Sequence, residues 1–324
     1  MSQPSIYCIT HGEDADGLIC GALMRRLKDA TPIMVTYDDL KGALRGIKPG
    51  IDELYVCDLN IRDDLVDEIL RITDFCKVTI IDHHPTTEGA LTKLEQEGVE
   101  VIHDTRDCAS VLLYNRYRDK LGRQAGRMAA FAAWADQFED GPLAVELLRG
   151  YDRQSVQHEG LILAHALTES PSEEFKSHVM EEITQLNFPH RIQGVPEAAL
   201  TYLETTSTFI EALPEMAHRL GVLAYVEASE GMPIGAIAGL ITDALGTVVG
   251  LCYRIGPDRA NISIRSRRGI NFHLGEITRR VATSRGGFGG GHKRASGASI
   301  PIGEIHAFMV DLEDEISRTQ TTTD

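Results

Sequence analysis

The chain has 324 residues, 43% of them hydrophobic and 25% charged, an ordinary globular composition with room for two domains at about 150 residues each. No stretch approaches the ~18 uninterrupted apolar residues of a membrane span. The start, MSQPSIYCITHGEDADG, has no basic region followed by a long apolar one, so a cytoplasmic protein without a membrane partner is expected. The formal net charge of −16 argues against coating long duplex nucleic acid, because that binding rests on many Lys and Arg contacts to phosphates.

The first 140 or so residues alternate short β-branched runs with helical patterns. The runs are IYCIT at 6–10, IMVTY at 33–37, ELYVCDL at 53–59, KVTIID at 77–82 and VEVIHD at 99–104. Between them, Leu18–Lys28, Arg62–Ile72 and Ala109–Lys120 carry apolar residues at three- and four-residue intervals. This spacing leaves room for crossover helices and predicts a mostly parallel, doubly wound α/β sheet.

From Leu143 to Leu220 the pattern is helical and polar, with Pro171, Pro189, Pro196 and Pro214 expected to break it into short pieces. Strand-like runs return at GVLAYVE, GAIAGLI, GTVVGLCYRI and ANISIRS. An amphipathic helix over Leu274–Thr283 and a glycine-rich loop, RGGFGGGHKRASG, follow. The expected organisation is a catalytic domain with helical extension over 1–190, a connector over 191–215 and a smaller α/β domain over 216–318. The polar tail RTQTTTD reads as frayed.

Six cysteines (Cys8, Cys20, Cys57, Cys76, Cys108, Cys252) are scattered without C-x-x-C spacing, so reduced, buried thiols are expected. Charge is uneven. Between Arg254 and Arg294 ten basic residues stand against Asp258 and Glu276, a local surplus of eight that leaves −24 for the rest. A small anionic ligand fits this better than duplex DNA.

Four apolar runs of the first half end in carboxylates or histidines: IYCIT-HGEDADG, LYVC-D, VTII-DHH and MAAFAAWA-D. Ligands of an open parallel sheet bind beyond the carboxyl ends of its strands, so these side chains form a candidate metal cage. Taken singly, an Asp at a strand end more often caps a turn or helix. Their recurrence points to metal binding. Asp14 and Asp16 sit one residue apart in a loop that opens a helix at Gly17, and Asp82, His83 and His84 place two imidazoles after an apolar strand.

ITHGEDADG, VCDLN, TIIDHHP, AAWAD and FGGGHKRASG occur in the order of the four metal motifs and C-terminal associated domain of the DHH phosphoesterase superfamily. The chain resembles that family over nearly its whole length, and most of all the branch of nanoRNases, pAp phosphatases and cyclic-dinucleotide phosphodiesterases. The resemblance implies an active site in the cleft between the two domains. It implies one Mn²⁺ on His11, Asp14 and Asp58 and a second on Asp16, Asp58, His83 and Asp136, with Mg²⁺ or Co²⁺ as alternatives. Mixed imidazole and carboxylate ligation suits Mn²⁺ better than Mg²⁺ or Ca²⁺, which favour all-oxygen shells. His11 and Asp14 are separated by two residues, where family members have one or three, so a water is an alternative to His11.

The resemblance further implies that His84 contacts the scissile phosphate or protonates the leaving oxygen, with Asp82 orienting His83 or its neighbour. Asp136 is preferred over Asp104 as the fourth motif. Ser110 resembles a substrate-contacting serine, or is a plain N-cap. In the second domain Arg265, Ser266, Arg267, Gly290, Gly291 and His292 are expected to bind substrate, Arg265 and Arg267 as a phosphate clamp and the glycine run as an anion-binding turn. The implied function is two-metal hydrolysis of short oligonucleotides, pAp or linear or cyclic dinucleotides. Polyphosphate or pyrophosphate hydrolysis and a non-catalytic scaffold are the alternatives, and a homodimer stays open.

Overall fold

The computed structural model describes residues 4–86, 88–229 and 232–321. The chain divides into two units, Met1–Leu203 and Glu204–Asp324. Among the described residues no helix is long and apolar enough to cross a membrane.

The first unit opens with β1 (Ile6–His11), α1 (Ala15–Lys28), β2 (Thr31–Val35), α2 (Leu40–Gly46), β3 (Glu53–Cys57), α3 (Asp63–Thr73), β4 (Lys77–Asp82), α4 (Glu88–Gln96) and β5 (Glu100–His103). The five strands form one sheet in the order β2-β1-β3-β4-β5, and every neighbouring pair is parallel. Successive residues of each strand face opposite sides. Cys8, Tyr55 and Cys57 therefore join the core beneath α1, while Ile9, Leu54 and Val56 join the core beneath α2, α3 and α4. Strand order reverses between β1 and β3, and the carboxyl ends on either side of that switch are where such sheets bind ligands.

The helical part follows: α5 (Ala109–Ala135), α6 (Pro142–Leu148), α7 (Arg153–Glu169), α8 (Glu173–Thr184) and α9 (Val195–Met216). Pro214 lies inside α9 two residues from its end, and Pro196 lies at its start, so neither breaks this stretch as the sequence suggested. Proline is tolerated in a first turn, where its missing N–H costs nothing. A straight 27-residue α5 would be about 40 Å long, yet both its ends reach the same place. It departs from helical geometry at Tyr117 (φ −122°) and at Gly122 (φ +76°), and the left-handed value is one that glycine adopts without penalty. The helix folds back on itself there.

The second unit contains β6 (His218–Leu220), β7 (Leu223–Glu227), α10 (Ile234–Leu245), β8 (Val249–Ile255), β9 (Arg259–Ser266), α11 (Leu274–Ser284), β10 (Phe288–Gly291), β11 (Ala295–Pro301) and α12 (Ile305–Thr321). Its sheet runs β10-β11-β9-β8-β7-β6, parallel only between β7 and β8. Two sequence expectations change. GAIAGLI is not a strand but the body of α10, and FGGG is not loop but β10, paired with β11. The polar tail divides: residues 318–321 continue α12, and 322–324 lie outside the described residues. All six cysteines are free thiols, and all are buried.

Glycine is used where elements touch. A Cβ on Gly160 of α7 would stand 2.5 Å from the Phe131 carbonyl oxygen of α5, whereas one on Gly42 of α2 would meet nothing within 4 Å. Gly160→Ala is therefore expected to destabilise the protein by about 1–3 kcal/mol through overpacking. Gly42→Ala should stabilise it by about 0.5–1 kcal/mol through lost backbone freedom of the unfolded chain. Urea denaturation of the two variants checks the opposite signs, and like signs would contradict the packing assigned to Gly160.

Candidate metal centre

β1 ends on His11, which is buried, and the chain turns through Gly12 and Glu13 into α1. Asp14 is the N-cap of α1: Oδ1 accepts the Gly17 N–H at 3.0 Å and Oδ2 lies 2.9 Å from His11 Nδ1. The turn is possible because residue 17 has no Cβ, which would come within 2.3 Å of the His11 carbonyl oxygen. Burial works against an ionised Asp14, but the hydrogen bond and charge of His11 and the Gly17 N–H outweigh it and bring its pKa to about 2. Burial also opposes a charged His11, and Asp14 with Glu13 overcomes it, so the imidazole titrates above its ordinary 6.5.

Asp16, in the first turn of α1, is fully buried. Its two oxygens accept the N–H groups of Ala109 at 2.7 Å and Ser110 at 2.9 Å. It thus caps α5 from more than ninety residues away, where Cys108 at the N-cap position supplies no side-chain bond.

Asp58 directly follows β3 and takes a left-handed backbone, φ +56°, a region that strains most residues but that Asp tolerates better than they do. Its N–H donates to the Ile81 carbonyl at 2.9 Å. Oδ1 lies 3.2 Å from His83 Nε2 and Oδ2 lies 3.8 Å from His11 Nδ1. His83 Nε2 is also 3.6 Å from Asp136 Oδ2 and 4.0 Å from Asp16 Oδ2. Asp136 is the residue that ends α5. Asp58 Oδ2 and Asp136 Oδ2 are both buried and accept no hydrogen bond among the described residues. Burial first, and then the neighbouring carboxylates, push the pKa of Asp58 and of Asp136 well above the usual carboxylate range. Burial is also the main cause of the lowered pKa of His83.

Three sets of donor atoms gather within 4.8 Å of one another: His11, Asp14 and Asp58; Asp16, His83 and Asp136; and Asp58, His83 and His84. All six residues expected as metal ligands therefore meet. Asp82 turns to His84, with Oδ1 2.7 Å from His84 Nδ1. Burial opposes ionisation of Asp82, but the His84 hydrogen bond and charge hold its pKa below the ordinary value, so its carboxylate accepts the His84 Nδ1–H and turns Nε2 to the opposite side. Tyr37 fills that position with its hydroxyl 2.8 Å from Nε2, while its ring lies 4.4 Å from that of His11. Tyr37 is not among the residues expected from sequence. It sits in a loop after β2, and no spacing in YDDLK marks it. Phe138, edge-on to His83 at 4.8 Å, lacks a signal for the same reason. Asp107, whose oxygens accept the Leu143 and Ala144 N–H groups, is a buried cap for α6 that lies beside the Asp104 considered as a ligand.

Asp104 itself is held by Arg106 through contacts of 2.5–3.2 Å, and belongs to none of the three sets. Ser110 is neither an N-cap nor open to solvent. It is fully buried, its N–H holds Asp16 and its Oγ lies 3.6 Å from Cys108 Sγ.

In the second unit the glycine run serves packing. A Cβ on Gly291 would come within 2.4 Å of the Ala295 carbonyl oxygen, and one on Gly289 within 2.9 Å of the Gly297 carbonyl oxygen. The first amides of α11, from Leu274 and Gly275, donate to the Lys293 and His292 carbonyls, so they are already engaged. Gly290 lies between these glycines in β10. The Arg265 guanidinium donates to Ser263 Oγ and the Ile264 carbonyl, both at 3.1 Å, and approaches Gly235 of α10. Burial lowers its pKa. Ser266 Oγ is buried without a hydrogen bond among the described residues, and Arg267 lines a cavity of about 300 Å³ with Asn271 and Gln320, apart from the surroundings of Arg265. The basic surplus is smaller in space than in sequence, because Arg280 and Arg285 pair with Glu315 and Asp311 of α12.

In metal-free protein the raised Asp58 keeps a proton that an unfolded carboxylate, near pKa ~3.9, has released, so its share of stability is lost as pH rises from about 4 through its folded value. Asp58→Asn is therefore expected to change the Tm of EDTA-treated protein little near pH 4. It should raise that Tm increasingly toward pH 8, by at least about 2 °C. Calorimetry across this range checks it, and a gain that shrinks with rising pH would contradict the charge crowding described.

Residues 221–318 match the sequence profile of the DHHA1 domain. No curated protein gives a sequence match. Among solved structures the chain is similar to a DHH-domain protein from a family of ribosomal proteins, with a TM-score of 0.73 at 15% identity over 97% of this chain and 87% of that one. It is similar to the exonuclease RecJ bound to manganese, with a TM-score of 0.61 at 17% identity over 98% and 91%. The pGpG-specific phosphodiesterase PggH from Vibrio cholerae gives 0.56 at 15% identity over 97% and 99%. The chain thus carries a DHHA1 domain over residues 221–318 and has, as a whole, the fold of the DHH proteins.

Proposed function

We propose that the chain is a divalent-metal-dependent phosphoesterase that hydrolyses short nucleotide substrates: di- to pentanucleotides, pAp or dinucleotides. The observation that carries this reading is Asp58, which directs one oxygen toward His83 and the other toward His11. The donor set fits metal ions. Two buried carboxylate oxygens lack donors among the described residues, the carboxylates repel one another, and imidazole nitrogens complete a mixed shell of the kind Mn²⁺ accepts. His11, Asp14 and Asp58 would hold one ion, and Asp16, Asp58, His83 and Asp136 the other. When bound, such a pair supplies an activated water and neutralises charge on phosphoryl oxygens.

The chain's own groups do the rest. Asp82 accepts the Nδ1–H of His84 and orients the ring, so that Nε2, in exchange for the Tyr37 hydroxyl, would meet a substrate oxygen and, from the protonated ring, give it a proton. Asp16, tied to the α5 amides, cannot swing away from His83. Arg265, whose guanidinium faces no carboxylate among the described residues, is the proposed phosphate-recognising group of the DHHA1 domain, with Ser266 and His292 as its proposed companions. A pGpG-specific phosphodiesterase and an exonuclease among the structures of the same fold support the substrate class.

The test is a panel of pGpG, pApA, short RNA, pAp and pyrophosphate with Mn²⁺. Mononucleotide or phosphate release from the nucleotides is expected, with pyrophosphate the poorer substrate. His83→Ala should lose more than about 100-fold in kcat/KM, beyond the 10- to 100-fold that outer partners of a metal site contribute. Arg265→Ala should raise KM by about tenfold, the equivalent of ~1.4 kcal/mol, with a smaller change in kcat. If every nucleotide stays intact, the proposal fails.

A further inference from the structure

His84 is held from three sides. Its Nδ1 lies 2.7 Å from Asp82 Oδ1, its backbone carbonyl oxygen lies 2.7 Å from His103 Nε2, and its Nε2 lies 2.8 Å from the Tyr37 hydroxyl. The first two contacts come from the carboxyl ends of β4 and β5. The third comes from the loop between β2 and α2, on the other side of the sheet's strand-order reversal. Both ring nitrogens are thus engaged, and the group on Nε2 is itself a hydrogen-bond donor.

Tyr37 is placed both by its backbone and by its ring. His11 of β1 pairs with Val35 of β2, and the Gly12 N–H donates to the Val35 carbonyl at 3.0 Å. Two residues on, the Tyr37 ring stands beside His11 with ring centres 4.4 Å apart. The turn that follows is closed by Thr36 and Asp39, with Oγ1 2.7 Å from Oδ2 and the Asp39 N–H donating to Oγ1 at 3.3 Å. The ring packs against the core beneath α2, α3 and α4 and meets the His84 ring edge-on at 5.4 Å. Phenylalanine would serve that packing equally. What the hydroxyl adds is a polar donor beside an imidazole that neither of the two proposed ion shells uses.

We propose that Tyr37 is a further catalytic residue, whose hydroxyl donates a hydrogen bond to the same leaving oxygen that takes the His84 proton. The inference rests on the phosphoesterase reading. A phenol keeps its proton at neutral pH, so when the substrate oxygen takes the hydroxyl's place on Nε2, the displaced hydroxyl still has a donor to offer from the flank. In the step, the oxygen of a water forms the new P–O bond and one of its protons goes to solvent. The bond to the leaving oxygen breaks, the electron pair goes with that oxygen, and the oxygen takes the proton from His84 Nε2. The Nδ1–H stays with Asp82, and Tyr37 keeps its own proton. Negative charge grows on the leaving oxygen ahead of the proton, and a donor already in place stabilises it there.

Kinetics of the full chain with Mn²⁺ test this, on the nucleotide of the panel that the wild type cleaves fastest and on its analogue with sulfur in place of the leaving oxygen. Tyr37→Phe keeps the ring on His11, and is expected to lower kcat on the oxygen substrate about 100-fold, with KM within about twofold of the wild type. On the sulfur analogue the loss should shrink to below about fivefold, because a thiolate leaves without a proton or a donor. Nitrogen NMR of the protein in EDTA supplies a readout without turnover or metal: the His84 Nε2 signal is expected to move in Tyr37→Phe, and to move more than Nδ1. An unchanged kcat on the oxygen substrate, an equal loss on both substrates, or an unmoved Nε2 signal would overturn the assignment and leave the phosphoesterase reading standing. A wild type that cleaves no nucleotide of the panel and no sulfur analogue would sink both.

Discussion

Mutual repulsion of buried carboxylates is the constraint around which the first unit is built. Asp14 and Asp16, Asp58, Asp82 and Asp136 come from four separate segments and crowd one another where burial already disfavours charge. Such an arrangement persists only if the surrounding fold over-determines it. The structure shows how. Asp14 caps its own helix and binds His11, Asp16 caps α5 with both oxygens, and Asp82 is held by His84. Asp58 and Asp136 each keep a buried oxygen with no hydrogen bond among the described residues, and these are the two whose pKa values rise well above the ordinary range.

The consequence is a site that is ordered and unsatisfied at once. The parallel sheet delivers His11, Asp58 and His83 from β1, β3 and β4 to one edge, at the reversal of strand order. The fold-back of α5 at Gly122 then returns Asp136 to the edge from which Ser110 departs. Stability is sacrificed locally, at a left-handed Asp58 and at crowded, buried carboxylates, in a place where a cation would remove both the repulsion and the missing hydrogen bonds. That trade is characteristic of a binding site and has no purpose in a purely structural core.

Much of this was legible in the residues. Five β-branched runs, and the carboxylates and imidazoles that end them, lie in the five strands or directly after them, because a period-two or continuous apolar run that stops abruptly at polar groups marks a strand reaching its carboxyl end. GAIAGLI misled for a physical reason. Seven apolar and small residues satisfy a buried strand and a buried helix equally, and only the packing of Gly250 against Ala238 and Thr242 shows that α10 lies on β8. The run FGGG suggested an open loop, yet its missing side chains let β10 lie tightly on β11 and α11. Tyr37, Phe138 and Asp107 carry no local signature, since their roles depend on partners far along the chain, His84, His83 and the first turn of α6. The basic surplus of the second unit is smaller in space than along the chain because Asp311 and Glu315, which neutralise part of it, come from α12, beyond the basic segment.

The central claim is that Asp58 is shared between two cations. Anomalous X-ray scattering at the manganese edge, from crystals grown with Mn²⁺, tests it most directly. The account expects two anomalous peaks, one on the His11 and Asp14 side of Asp58 and one on the His83 and Asp136 side. A map with no peak at this edge of the sheet, or with manganese only elsewhere, would contradict it.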